Sequence, residues 1–217
     1  DRLVLSKGHT APALYSVLAQ KGYFDENELK SLRHIGAVLQ GHPCIHTPGI
    51  DMSSGSLGQG ISAACGMALA GKLDGKSYNV YAILGDGEIE EGQVWEAAMF
   101  AAHYGLSNLT AIVDNNGLQI DGAINEVCSP EPITDKFAAF GWHVITMDAH
   151  DFDDIDRAFT EASAVTDKPV AIIQKSVKGK GVSFMENKVD WHGKAPNAEE
   201  YTQAMSELEA QLKELEG

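Results

Sequence analysis

Basic residues are scarce in this sequence. Its 217 residues include 16 Lys and Arg against 31 Asp and Glu, and the formal net charge at pH 7 is −15. Nucleic acids and anionic membranes repel a protein of this charge, so the composition argues against either as the main partner. A phosphorylated ligand would need groups within its own site to offset this unfavourable field.

Cysteines and long apolar segments are also few. Cys44, Cys65 and Cys128 are widely spaced and form no CxxC motif, which favours a reducing, cytoplasmic location over a disulfide framework. Apolar runs such as Val170–Ile173 fall far short of the roughly 20 residues that span a bilayer. The chain starts at Asp1 without an initiator Met or an apolar signal segment, so we expect it to be shortened at its N-terminus.

Short β-rich runs alternate with helical patterns along most of the chain. Strands are predicted at Asn79–Leu84, Leu109–Val113, Trp142–Met147 and Val170–Gln174. Helices are predicted at Pro12–Gln20, Ile61–Leu73, Val94–Tyr104, Ile133–Phe140 and Phe152–Val165. This alternation is typical of an α/β fold with a mostly parallel sheet and helices on both faces. No linker or repeat interrupts it, so we expect residues 1–217 to form one domain.

The segment 197–217 predicts a C-terminal amphipathic helix. Asn197, followed three positions later by Glu200, resembles a capping box at its start. The apolar stripe of the helix consists of Tyr201, Met205, Leu208, Leu212 and Leu215. Two heptads rarely sustain a coiled coil, so we favour a terminal helix packed on its own domain over a docking helix for another chain.

Two predicted strands end in polar, glycine-containing turns. Gly85-Asp86-Gly87 follows one strand and Asn115-Asn116-Gly117 follows the next. Ligands of open α/β sheets bind at the carboxyl ends of the strands. Carboxylate and amide oxygens suit magnesium or calcium, and Gly87 with the N-terminus of the next helix would accommodate a phosphate. The pattern therefore favours a metal-bound diphosphate.

Each of these residues also has a purely structural interpretation. Asp86 could cap the following helix, and Asn116-Gly117 is a common turn sequence. Taken together, at matching strand ends, the two motifs favour the metal–diphosphate interpretation.

Three other patterns carry less weight. The alternating His42, Cys44 and His46 would need a further ligand to bind zinc. Gly58-x-Gly60-x-x-Ala63 matches a dinucleotide fingerprint but follows no predicted strand. The segment 178–181, with two lysines and two glycines, is either a phosphate-binding loop or a solvated turn, and we favour the turn.

Longer motifs resemble one family. Gly85-Asp86-Gly87 with Asn115-Asn116 resembles the thiamine diphosphate motif, which holds a diphosphate through magnesium. Further blocks resemble transketolase, in family order: Ser6-Lys7-Gly8-His9, Gly41-His42-Pro43, Thr47-Pro48-Gly49, Gly55-Ser56-Leu57-Gly58-Gln59-Gly60, Glu91-Gly92-Gln93-Val94-Trp95-Glu96-Ala97, Gln119-Ile120-Asp121-Gly122, Phe140-Gly141-Trp142 and Trp191-His192-Gly193. The chain is similar to the N-terminal, diphosphate-binding half of transketolase, in particular to the split form made of two subunits. The resemblance implies the thiamine-diphosphate-binding fold.

The resemblance also implies roles for ten residues. Asp86, Asn116 and the backbone carbonyl of Leu118 would bind Mg²⁺, with Ca²⁺ or Mn²⁺ as substitutes. Contacts to thiamine diphosphate would come from Gly55, Leu57, Gly87, Asn116 and His192. His9 and His42 would be catalytic, facing the reacting carbon and the sugar hydroxyls, and Glu91 would lie near the subunit interface.

The implied activity is transfer of a two-carbon ketol unit from a ketose phosphate to an aldose. The glutamate that activates the aminopyrimidine belongs to the family's next domain, so a C-terminal, pyrimidine-binding partner subunit is expected, in a heterotetramer with two copies of each chain. Three alternatives remain open: a deoxyxylulose-phosphate synthase, the first component of a 2-oxo acid dehydrogenase, and a non-catalytic assembly subunit.

Overall fold

The computed structural model describes residues 1–216 and the side chains of residues 1–215. Its strands are β1 (Arg2–Leu5), β2 (Val80–Gly85), β3 (Leu109–Asn115), β4 (Leu118–Gln119), β5 (Gly122–Ala123), β6 (His143–Asp148) and β7 (Val170–Lys175). Its helices are α1 (Ala11–Gln20), α2 (Gln59–Leu73), α3 (Gly92–His103), α4 (Ile124–Val127), α5 (Ile133–Ala139), α6 (Phe152–Ala164) and α7 (Ala198–Glu216).

Five strands form a parallel sheet in the order β1-β2-β3-β7-β6, and β4 and β5 form a small antiparallel hairpin. In the central pairings, Val80 of β2 lies opposite Leu109 of β3, and Thr110 of β3 lies opposite Val170 of β7. Because the five strands run in one direction, all their carboxyl ends meet at one edge of the sheet. Loops that are far apart in sequence therefore converge there.

Helices cover both faces of the sheet, as the alternation of strands and helices predicted. Side chains at alternate positions of β2, such as Val80, Ala82 and Leu84, pack with α2, α3 and α5 in the larger core cluster. On the other face, Ile112 and Ile172 pack with α6 in a second cluster. Burying an aliphatic side chain of this size contributes about 1.5–3 kcal/mol, so the two clusters hold the helices to the sheet.

The start of α2 lies unusually close to β1. A Cβ added to Gly60 would lie 2.7 Å from the Cα of Ser6, and Gly58 adopts the left-handed region at φ +76°. Side chains other than glycine rarely adopt that conformation. These glycines therefore serve helix packing, in agreement with our preference against a dinucleotide fingerprint.

Three local predictions need correction. The strand β1 was not predicted, because four residues with no clear alternation carry too weak a signal. Trp142 is not part of β6; it precedes the strand and is buried, with its indole N–H donating to the carbonyl of Ala98 at 2.8 Å. A 3₁₀ turn at Glu88–Glu90 separates Gly87 from α3, so no helix begins directly after Gly87.

The predicted capping box is present at the start of α7. Asn197 Oδ1 accepts hydrogen bonds from the N–H groups of Glu199 and Glu200, and the Glu200 carboxylate accepts one from the N–H of Asn197 at 2.8 Å. Gly217, the last residue of the helix predicted at 197–217, lies outside the described residues. The helix contacts the rest of the chain through Ala204, which is buried, and through Glu207, which accepts hydrogen bonds from Ser183.

The apolar stripe of α7 is only partly covered by the rest of the chain; Cδ2 of Leu208 would lie 3.3 Å from a Cβ added to Gly181. All five of its side chains remain more than one-third exposed: Tyr201, Met205, Leu208, Leu212 and Leu215. Within residues 1–216, no helix is both long enough and apolar enough to cross a membrane.

Candidate active site

A cleft of about 260 Å³ opens at the carboxyl edge of the sheet, beside the ends of β1, β2 and β3. Seven of the ten residues proposed from the sequence line it: His9, Leu57, Asp86, Gly87, Asn116, Leu118 and His192. The parallel topology brings them together from segments more than 180 residues apart. His42, Gly55 and Glu91 do not line this cleft.

Asp86 lies between the ends of β2 and β3 and is 2% exposed. Its carboxylate accepts hydrogen bonds from the N–H of Gly87 at 2.9 Å and the N–H of Gly117 at 2.6 Å. Burial raises the pKa of Asp86, although these two hydrogen bonds act in the opposite direction. The residue does not cap α3, whose N-cap is Glu91. A carboxylate has about four acceptor positions, so two remain for a ligand.

The turn after β3 supplies oxygen atoms next to Asp86. Asn116 Oδ1 accepts a hydrogen bond from the N–H of Leu118 at 3.0 Å, and Gly117 adopts a left-handed conformation at φ +76°. The sequence Asn116-Gly117 is therefore a turn as well as part of the cleft wall. The hydrogen bond from Gly117 to Asp86 holds the loops after β2 and β3 side by side.

An ion pair between Lys7 and Asp114 connects the ends of β1 and β3. Their side chains are 11% and 19% exposed, and the hydroxyl of Ser176, just after β7, donates to the same carboxylate. Burial alone would raise the pKa of Asp114, but Lys7 and the hydrogen bonds from Lys7, Ser176 and Asn116 lower it overall. The carboxylate therefore ties three strand ends together in its ionised form.

Lys178 brings a second cation to the cleft. Burial, followed by the nearby charge of Lys7, lowers the pKa of Lys178, while Asp114 and Asp86 oppose this effect. Our interpretation of segment 178–181 as a solvated turn is wrong for Lys178, which lines the cleft. It holds for Lys180, which is half exposed and lies 3.6 Å from Glu186.

These lysines change the expected source of positive charge. We expected a phosphate to meet free N–H groups after Gly87, but the N–H of Gly87 is bonded to Asp86 and α3 begins only at Gly92. Lys7 and Lys178 supply the local positive charge instead. Lys7 is already paired with Asp114, and the carboxylates of Asp86 and Glu88 also line the cleft, so an anion would need a bound cation beside it as well.

His9 and His192 stack against each other in the cleft, with ring centroids 5.2 Å apart and planes inclined by 27°. Burial, followed by the nearby His192, Lys7, Lys178 and His42, lowers the pKa of His9 to about 4. Burial also lowers the pKa of His192, together with Lys178 and Lys7. Both rings are therefore neutral near pH 7. Nδ1 of His192 is buried without a hydrogen-bond partner, which leaves it available to a ligand.

His42 is exposed and lies close to Gly55, outside the cleft. A Cβ added to Gly55 would lie 3.9 Å from the His42 ring, and the hydroxyl of Tyr15 lies 2.9 Å from the carbonyl oxygen of His42. The structure does not assemble His42, Cys44 and His46 into a zinc site, since within residues 1–216 no three His, Cys, Asp or Glu side chains form a potential metal cluster.

Glu91 is exposed at the N-cap of α3. It packs on the turn before α2, because a Cβ added to Gly58 would lie 2.8 Å from the Cβ of Glu91. Glu91 thus follows the cleft residue Gly87 by four positions in the sequence. In space it lies against Gly58, the neighbour of the cleft residue Leu57.

The sequence assigned no role to three residues in or beside the cleft, Lys7, Glu88 and Asp114, and a solvated turn was favoured for a fourth, Lys178. Lys7 belongs to the motif Ser6-Lys7-Gly8-His9, so its closeness in sequence to the candidate residue His9 could have indicated that it lies at the site. Asp114 meets Lys7 across 107 positions, and nothing in the local sequence indicates that pairing.

Comparison with solved structures establishes the type of fold. The chain superimposes on transketolase from Campylobacter jejuni with a TM-score of 0.91 and 33% identity, covering 96% of this chain and 34% of that one. Transketolase from Pichia stipitis in complex with sedoheptulose 7-phosphate gives a TM-score of 0.88 with 34% identity, covering 96% of this chain and 32% of that one. The expected thiamine-diphosphate-binding fold is confirmed.

Comparison of sequences gives the family. The family model described as "Transketolase, thiamine diphosphate binding domain" matches residues 1–214. An apulose-4-phosphate transketolase subunit of Phocaeicola vulgatus is 44% identical, over 100% of this chain and 77% of that protein. The 6-deoxy-6-sulfo-D-fructose transketolase subunit SqwG of a Clostridium species is 49% identical, over 96% of this chain and 76% of that protein.

Full-length transketolases match as well, over a smaller share of their length. Human transketolase is 45% identical over 98% of this chain, which corresponds to 34% of that protein. The chain therefore belongs to the transketolase family, as its N-terminal, thiamine diphosphate-binding domain. The resemblance drawn from the motifs is confirmed, and the chain is an enzyme component of the transferase class.

Proposed function

We propose that this chain binds Mg²⁺ and thiamine diphosphate and, together with a partner subunit, transfers a two-carbon ketol unit from a ketose phosphate to an aldose. The observation that carries the proposal is the composition of the cleft. Oxygen donors from Asp86 and Asn116 lie in one cavity with the cations Lys7 and Lys178 and the neutral ring of His192. Such a site suits a metal-bound diphosphate.

The residues present fit both parts of this ligand. Asp86, Asn116 and the carbonyl of Leu118 are the hard oxygen donors that Mg²⁺ prefers, and Ca²⁺ or Mn²⁺ would use the same set. Nδ1 of His192 is buried and unpartnered, so a phosphate oxygen would supply the hydrogen-bond partner that the protein does not. Gly87 keeps the wall open, since a Cβ there would lie 2.7 Å from the side-chain oxygen of Gln119.

Each group has a separate task in this proposal. Asp86, Asn116 and Leu118 hold the metal, while Lys7 and Lys178 offset the negative charge that the metal leaves uncompensated. Leu57 and Gly87 bound the cleft, and Gly55, which lies outside it beside His42, would contact a part of the cofactor that extends beyond the cleft. The cofactor itself supplies the carbanion chemistry that breaks and forms a carbon–carbon bond beside a carbonyl group.

His9 and His42 are proposed to move protons at the sugar oxygens. Both additions to a carbonyl convert that oxygen between carbonyl and hydroxyl, so groups that accept a proton from it and return it are needed. His9, with its pKa lowered to about 4, is an unprotonated acceptor at neutral pH and can take the proton of a substrate hydroxyl. The exposed position of His42 outside the cleft suits a contact with the distal part of a sugar.

A partner subunit would complete the site. The relatives from Phocaeicola and Clostridium are named as transketolase subunits, and the chain covers about three quarters of each. We propose a pyrimidine-binding partner in a heterotetramer of two copies of each chain, with Glu91 at the contact because it is exposed beside the Gly58 turn. The three free cysteines favour a cytoplasmic location.

The test is a donor assay on the chain reconstituted with its partner subunit, Mg²⁺ and thiamine diphosphate. We expect a ketose phosphate donor to release an aldose, with pyruvate inactive, and Asp86→Asn to abolish turnover while Asp156→Asn, in α6, does not. Activity with pyruvate instead would indicate a different thiamine diphosphate enzyme. Tight cofactor binding without turnover of any donor in a panel of ketose phosphates and sulfonated ketoses would indicate a non-catalytic subunit.

A further inference from the structure

Glu88 is a buried carboxylate at the base of the cleft that takes no part in the proposed chemistry. It is 2% exposed and follows Asp86 and Gly87 in the turn after β2. A buried carboxylate that forms no direct ion pair is costly, so such a residue needs a compensating set of hydrogen bonds.

Three donors from three different segments converge on this carboxylate. The hydroxyl of Ser6, just after β1, and the N–H of Gly58, just before α2, both contact Oε1, the latter at 3.0 Å. The N–H of Gly85, at the end of β2, donates to Oε2 at 3.1 Å. Burial raises the pKa of Glu88 overall, although these hydrogen bonds and the charge of Lys7 act in the opposite direction. Both backbone partners can only donate, so each needs one oxygen of the Glu88 carboxyl group as its acceptor.

Each of the three segments also carries residues that line the cleft. Ser6 directly precedes Lys7, Gly58 directly follows Leu57, and Gly85 directly precedes Asp86. The spacing of these segments is tight, since a Cβ on Gly60 would lie 2.6 Å from the hydroxyl of Ser6. A change at the Glu88 carboxylate would therefore move three walls of the cleft at once.

We propose that Glu88 is a positioning residue that sets the distance between the metal-binding loop, the cationic loop after β1 and the turn before α2. This inference rests on the proposed use of the cleft for Mg²⁺ and thiamine diphosphate. Glu88 acts through Asp86, Lys7 and Leu57 and has no chemical step of its own.

Glu88→Gln tests the proposal with little change of shape. In either orientation of the amide, its NH₂ group faces at least one backbone N–H, that of Gly58 or that of Gly85, and this donor loses its acceptor. We expect thiamine diphosphate to bind about tenfold more weakly at fixed Mg²⁺, with kcat at saturating cofactor within about twofold of wild type. The increase in melting temperature caused by the cofactor should shrink accordingly.

Two control variants separate positioning from general stability and from charge. Ile172→Val lowers stability on the α6 face of the sheet, away from the cleft, and Glu209→Gln removes an exposed charge from α7. Both should keep the wild-type dissociation constant for the cofactor. Ser6→Ala removes one of the three hydrogen bonds and should weaken binding about threefold, which provides a test even if Glu88→Gln does not fold.

The measurements use the complex with the partner subunit, by calorimetric titration of thiamine diphosphate and by thermal unfolding with and without cofactor. Equal cofactor affinity in wild type, Ser6→Ala and any folded Glu88→Gln would overturn the inference. So would an equal loss of affinity in Ile172→Val. If the wild-type complex itself bound no Mg²⁺ and thiamine diphosphate, the proposed function would fail instead, so the two failures are distinguishable.

Discussion

Lys7→Met is expected to destabilise the chain strongly in the absence of any cofactor. The substitution keeps a long, unbranched side chain but removes the cation that pairs with Asp114, and the two side chains are only 11% and 19% exposed. Breaking a buried pair by removing one partner costs about 3–5 kcal/mol, because a charge is left buried and uncompensated. Ser176 and Asn116 still donate to the carboxylate, so we expect the lower end, about 3 kcal/mol.

This loss converts into a measurable change in melting temperature. For a chain of this length each kcal/mol shifts the midpoint by about 2–4 °C, so Lys7→Met should melt roughly 6–12 °C below wild type. The matched control is Lys180→Met. Lys180 and its partner Glu186 are 53% and 34% exposed, and such surface pairs contribute about 0–1 kcal/mol.

The pH dependence gives an independent check. The pKa of Asp114 is lowered in the folded wild type, so the pair stabilises the fold above the ordinary Asp pKa of about 3.9 and loses this effect as the pH falls through the lowered value. In Lys7→Met, burial is no longer offset by the lysine, so the pKa of Asp114 should rise and stability should fall with increasing pH. The difference between wild type and variant should therefore be large near pH 7 and small at strongly acidic pH.

Thermal unfolding followed by circular dichroism across this pH range would test both effects. Equal losses for Lys7→Met and Lys180→Met would refute the assignment of Lys7–Asp114 as a buried structural pair. A difference between Lys7→Met and wild type that does not vary with pH would refute the assigned titration of Asp114.

The cleft and its surroundings can be tested at three further positions. Asp86→Asn should weaken Mg²⁺-dependent binding of thiamine diphosphate by at least about 100-fold in calorimetry, and an unchanged affinity would remove Asp86 from the metal site. His9, with its pKa lowered to about 4, should show an NMR titration midpoint near that value in the cofactor-free chain, and a midpoint near 6.5 would contradict its burial beside His192. Gly58→Ala should cost more than Gly75→Ala in urea unfolding: both residues have positive φ, which costs about 1–2 kcal/mol, but only Gly58 would bring its Cβ within 2.8 Å of a neighbour. Equal losses of unfolding free energy in the two variants would show that the chain relieves the contact between the new Cβ and Glu91 at no energetic cost.

The central part of the fold was predictable from the sequence because the strands are buried on both faces. Continuous apolar runs such as Val170–Ile173, separated by helices of ordinary length, leave few arrangements other than a parallel sheet with helices on both sides. The edge strand β1 was missed because four residues with no clear alternation carry too weak a signal. The start of α3 was predicted within two residues, at Val94 instead of Gly92, but the 3₁₀ turn between Gly87 and α3 was missed because it has no distinct sequence signal.

The candidate site was accessible from the sequence for a topological reason. Parallel strands end at one edge, so motifs that follow successive strands, such as those at Asp86 and Asn116, are brought together whatever the details of packing. The role of segment 178–181 was not accessible in this way. Whether Lys178 faces water or the cleft depends on how the loop after β7 folds over the sheet, and flanking residues do not determine that.

By itself, the sequence determined the fold class, the family and the residues at the strand ends, because hydrophobic periodicity and motif spacing are local properties of the chain. Only the tertiary structure decided which charged groups support the site. Lys7 meets Asp114 across 107 positions, and Ser6 meets Glu88 across 82. Such pairings depend on the distance between strand ends and on the exclusion of water, and both arise only when the sheet and its helices have packed.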